Sequence, residues 1–103
     1  MKDRKSKRYQ IKKSVLETIY KSSLLESEYS ANAAFNFDNE NKLNDYNAKA
    51  VEELEKIESA ILETSKDNIV CAWLLRKAVQ ISVCVYFGGF CRIVEELGFE
   101  VTE

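Results

Sequence analysis

No proline interrupts this 103-residue chain, and its three glycines, Gly88, Gly89 and Gly98, all fall at or after position 88. Small strand-rich domains need frequent Gly and Pro turns, so the long stretch without either favours long helices. The length fits one domain. With 46% hydrophobic and 31% charged residues, the composition is that of a folded globular chain rather than a disordered one.

Spacing predicts helix one over about Tyr9 to Ala34. Ile11, Val15, Ile19, Leu25 and Tyr29 fall near one stripe, with Leu16, Tyr20 and Leu24 beside it. The run Asn36 to Asn41 then gathers side chains that compete for backbone hydrogen bonds, which marks a break. Asp38 is the expected N-cap of helix two, with Asn41 an alternative start, and Phe35 and Phe37 are expected to pin this corner into the core. In helix two, Leu43, Tyr46, Ala50, Leu54, Ile57 and Ile61 recur every three or four residues, which predicts one apolar face. Lys49 to Glu53 and Glu52 to Lys56 are spaced for ion pairs along the helix.

The segment Ser65 to Asn68 closes helix two, with Asp67 the expected N-cap of helix three. Residues Ile69 to Phe87 are apolar on nearly every side, broken only by a strip of Arg76, Lys77 and Gln80. That pattern reads as a central buried helix, because two adjacent cations in mid-span would be costly in a membrane. Ile81, Val83, Val85 and Phe87 also alternate like a strand, but they continue the preceding helix without punctuation. Gly88-Gly89 is expected to kink or break the chain before a short last helix, Phe90 to Leu97. Gly98 stands where a left-handed cap belongs, with Phe99 as its apolar contact, and Phe99 to Val101 is a tail or one edge strand.

The predicted fold is therefore all-α: a small antiparallel helical bundle of three long helices plus a short C-terminal helix. The minor alternative is α+β with a short C-terminal strand. Residues 1–8 form a flexible basic arm and 9–103 a single helical domain, with Leu54, Ile57, Ile61, Leu74 and Val79 expected in the core.

Little in the sequence points to catalysis. There is no histidine, the commonest general base and the usual partner of a serine or cysteine nucleophile. Glu95 and Glu96 would point about 100° apart on a helix, so they do not make an acid–base pair. Gly88-Gly89 lacks the lysine and spacing of a phosphate loop. Cys71, Cys84 and Cys91 are odd in number with no CxxC pair, which suits reduced thiols in a cytoplasmic protein and neither a disulfide framework nor a zinc site. Cys71 and Cys84 are expected to be structural. No apolar signal segment follows the basic N-terminus, so a cytoplasmic, non-enzymatic protein without cofactor is expected.

Charge is unevenly distributed. Lys2, Arg4, Lys5, Lys7, Arg8, Lys12 and Lys13 oppose only Asp3 within residues 1–13, a balance of +6 in a chain whose net charge is −2. Such an arm can contact nucleic acid or another polyanion, or merely be solvated. Residues 38–63 carry an acidic excess, with Glu52, Glu53, Glu55 and Glu58 as a candidate acidic face. Near the C-terminus Tyr86, Phe87, Phe90 and Arg92 are candidate interface residues, since aromatics and arginine dominate binding hot spots.

These features together suggest a small protein-binding module, an adaptor or inhibitor of the kind a phage or mobile element encodes. It would dock on a larger protein, on a protein–nucleic acid complex, or on itself as a homodimer. The alternatives are a nucleic-acid-linked accessory protein using the N-terminal arm and a small regulatory subunit of an enzyme. No membrane partner is expected.

Overall fold

The computed structural model describes residues 9–103; the arm expected over residues 1–8 lies outside them. In chain order the elements are β1 (Tyr9–Lys12), α1 (Lys13–Phe35), α2 (Glu40–Ser65), α3 (Ile69–Ser82), α4 (Phe87–Glu96) and β2 (Phe99–Thr102). Helices account for 77% of the described residues, so the protein is a mostly α-helical bundle with one short two-stranded parallel sheet.

The first departure from the sequence reading is at the start. Helix one begins at Lys13 rather than Tyr9, because Tyr9–Lys12 pairs in parallel with β2, Tyr9 opposite Phe99 and Ile11 opposite Val101. Alternation along β1 turns Ile11 fully inward, and the Tyr9 ring packs 5.2 Å from that of Phe99. Gly98 makes this closure feasible. Its φ of 107° stops α4 in the left-handed region that glycine tolerates best, and its carbonyl accepts a hydrogen bond from Tyr9 N–H at 3.2 Å.

Both internal N-caps lie one residue beyond the expected Asp38 and Asp67. Asn39 accepts from Lys42 N–H at 3.2 Å and Asn68 from Cys71 N–H at 2.9 Å. An asparagine oxygen caps as well as an aspartate, so the chemistry holds while the register shifts.

Helix three is shorter than the apolar run suggests. It stops at Ser82, whose Oγ donates to the Val79 carbonyl at 2.7 Å, and Val83 to Tyr86 form a turn rather than helix or strand. Gly88 and Gly89 do not break the chain. They lie in the first turn of α4, where the Tyr86 ring packs on their backbone, and a Cβ at Gly88 would stand 3.0 Å from Tyr86 Cε2.

Two further corrections concern exposed apolar residues. At 1.5 Å per residue α3 is only about 21 Å long, against about 35 and 39 Å for α1 and α2. The α1–α2 hairpin therefore projects past the rest of the bundle, and the molecule is 59 Å long. Phe35 and Phe37, expected in the core, stand at the hairpin tip, 84% and 74% exposed. Leu54, also expected in the core, is 48% exposed because the buried row of α2 passes through Glu53 and Ile57 instead. The core itself is built from Leu16, Ile19, Ile57, Ile61, Leu75, Phe90, Val94 and Phe99, with Leu74 and Val79 half-buried at its margin.

Candidate protein-binding face

In α2 the buried row is Ala50, Glu53, Ile57, Ile61 and Ser65, a 3-4-4-4 spacing that excludes Leu54. Glu53 thus leaves the acidic face expected of it and is only 6% exposed. Its Oε2 accepts from Lys56 Nζ at 3.2 Å, and its Oε1 has no hydrogen-bond partner among the described residues. Lys49 pairs with Asp45 at 3.4 Å instead of with Glu53. Glu52 and Glu55 remain exposed, and Glu58, half-buried, reaches across to α3.

That crossing is an ion pair between Glu58 and Arg76, both about half accessible to solvent. Hydrogen bonding to Glu58 raises the Arg76 pKa, against partial desolvation, so the guanidinium is charged throughout. Around the pair runs a groove of about 370 Å³ lined by Val51, Leu54, Glu55, Ile61 and Val79. A second hollow, at the α2–α3 connection, is lined by Leu62, Ile69 and Ala72 and shares Arg76 with the first. On α3, Ile69, Trp73, Arg76 and Gln80 follow one another at 4-3-4 spacing, a single stripe on the side away from Leu75 and Ala78. Ile69 is 83% exposed, Val51, Leu62 and Trp73 about half, and Lys77 Nζ lies 5.2 Å over the Trp73 ring. The outcome is an apolar face shared by α2 and α3, centred on one ion pair and edged by Glu55 on one side and Lys77 on the other.

A larger hollow of about 660 Å³ lies between α1 and α2, lined by Val15, Thr18, Glu52, Glu55, Lys56 and Glu63. Three carboxylates facing one lysine in an open cleft read as a solvated acidic flank.

The four aromatic and cationic residues singled out near the C-terminus do not assemble into one surface. Phe90 is fully buried, Phe87 is half-buried with its ring 5.4 Å from that of Tyr20, and only Tyr86 and Arg92 are exposed. Of the basic residues, Lys12 and Lys13 are exposed where β1 meets α1, and Lys2, Arg4, Lys5, Lys7 and Arg8 lie outside the described residues. All three cysteines are free: Cys71 is buried and Cys91 half-buried, but Cys84 is exposed in the turn after α3, contrary to the structural role expected of it. Among the described residues no group of side chains could hold a metal ion, and no helix is long and apolar enough to cross a membrane.

Sequence reasoning missed Leu62, Ile69 and Trp73 as surface residues. The signal was present: a stripe that mixes Ile69 and Trp73 with Arg76 and Gln80 is not a core stripe. It was masked by the apolar content of α3 as a whole.

Comparison of the chain with protein-family models, with curated proteins and with solved structures returns no match.

Proposed function

We propose that the protein is a small helical binding module that acts by docking on protein through the α2–α3 face. The observation that carries this reading is Leu54. It belongs to the apolar repeat of α2, yet it is 48% exposed and lines the groove around the Glu58–Arg76 pair with Val51 and Val79. Leu62 and Ile69 line the adjoining hollow that shares Arg76. Isolated exposed apolar residues are normal, whereas a contiguous patch with a polar rim marks an interaction surface. A tryptophan and an arginine within it supply the side chains that most often anchor interfaces. An adaptor and an inhibitor both need such a face.

The test compares the wild-type chain with Leu54→Glu and Trp73→Asp by chemical cross-linking in the native host, with thermal melting as control. Loss of cross-linked protein at an unchanged melting temperature is the expected result. Variants that keep every cross-link, or that lose them only when they also unfold, overturn the reading.

A further inference from the structure

We infer that the occupant of the α2–α3 face is a second copy of this chain, packed about a twofold axis lying along the seam between the two helices. The inference rests on the binding face proposed above and adds its partner.

The two halves of the face carry opposite charge. Helix α3, Ile69–Ser82, contains Arg76 and Lys77 and no acidic residue, whereas the flank of α2 that lines the groove presents Glu55 and Glu58. A twofold interface brings one patch against itself, so the patch must be self-complementary. Rotation about an axis along the seam exchanges α2 and α3 while leaving every residue at its own height. Heights are set by the Glu58–Arg76 pair, which puts those two residues level within one chain. Because α2 and α3 run antiparallel across the Lys66–Asn68 turn, Lys77 lies level with the turn of α2 between Glu55 and Glu58. In the dimer the basic edge of each α3 therefore covers the acidic edge of the opposite α2, and Lys77 faces Glu55 twice. The same rotation sets Trp73 level with Leu62, an apolar match at one end of the charged row, and the methylenes of Gln80 level with Leu54 at the other.

Size sets the strength. Two helix widths of about 10 Å and a length of about 20 Å give a footprint of about 400 Å² per copy. At about 800 Å² for the pair, this lies below the range of stable specific interfaces and among the weak, transient ones, so association is concentration-dependent. Opposite charges at the rim chiefly select the partner and its register.

Light scattering and sedimentation test the dimer with a charge exchange. The wild-type mass is expected to rise from 11.9 kDa toward twice that value as concentration increases. Glu55→Lys and Lys77→Glu each put like charges across the axis, and each alone should remain monomeric while melting as the wild type does. Mixed in equal amounts, the two variants should dimerise again, because each then meets its complement. A defect of folding in either variant could not produce that recovery. The dimer is overturned if the wild type stays monomeric, if either variant dimerises as the wild type does, or if the mixture stays monomeric. The binding face itself survives a monomeric wild type if Leu54→Glu still removes a cross-linked protein, and falls with the dimer if it does not.

Discussion

The phenolic hydroxyl of Tyr20 donates to the backbone carbonyl of Val85 at 2.6 Å, tying the middle of α1 to the turn where α3 has just ended. The same ring lies 5.4 Å from Phe87 and 5.6 Å from Phe90, so one α1 residue holds the whole corner that leads into α4. Because the corner is fixed there, α3 ends at Ser82; Leu54 stays half-exposed because the inward row of α2 runs through Glu53 and Ile57 instead.

Tyr20→Phe keeps the ring packing and deletes only the donor. A net loss of about 0.5–1.5 kcal/mol is expected in urea unfolding, the usual worth of one hydrogen bond. An unchanged midpoint would mean that the corner is held by ring packing alone.

The register of α2 separates Ile57 from Leu54. Ile57→Ala, at a buried site, is expected to cost about 2–5 kcal/mol. Leu54→Ala removes a side chain already half in water and should cost about 1 kcal/mol or less. The reverse order would restore Leu54 to the core and remove the basis of the binding face.

Much of the fold was legible because its signals are local. The helix breaks at Asn36–Asn39 and Lys66–Asn68, the cap at Gly98 and the inward row through Ile57 and Ile61 all follow from neighbours within a turn or two. The parallel pairing of Tyr9–Lys12 with Phe99–Thr102 was not, since its partners are 90 residues apart and Ile11, Val15 and Ile19 imitate a continuing helix. The end of α3 was hidden for a related reason. Val83 to Tyr86 carries no glycine or proline, and the turn is set by Tyr20 reaching over from α1. Glu53 and Leu54 lie about 100° apart, on either side of the line from Ala50 to Ile57, so a repeat of threes and fours admits either, and the packing of α2 on its neighbours decides which is covered. For the binding face the sequence supplied the residue types, and the topology alone made them neighbours.

Gly89 is in the first turn of α4, not at a hinge, and a Cβ there would meet Val85 Cβ at an ordinary 3.4 Å. Gly89→Ala is therefore expected to stabilise the protein by up to about 1 kcal/mol through helix propensity. A fall in melting temperature would show that the glycine serves as a flexible joint.

The thiols should react in the order Cys84, Cys91, Cys71. Burial pushes the Cys71 thiol above its ordinary pKa; burial also raises that of Cys91, where Lys13 acts in the opposite sense and Glu95 and Glu17 add to the rise. Since the thiolate is the reactive form, Cys71 is slowest in the native protein. The sign for stability follows: a thiol kept neutral by the fold ionises first in the unfolded chain. Its contribution is intact at neutral pH and is lost as pH rises through the thiol range. Labelling of Cys71 as fast as Cys84 would place it on the surface.

Trp73, the one tryptophan of the chain, sits in the proposed face and reports on it directly. As protein concentration is raised through the range where mass doubles, its emission should move to shorter wavelength and its quenching by acrylamide should fall, as the half-exposed indole is covered. The same changes are expected when the monomeric Glu55→Lys and Lys77→Glu variants are mixed in equal amounts. Association that leaves both the emission and the quenching of Trp73 as they are in the free monomer would contradict the α2–α3 face as the binding surface.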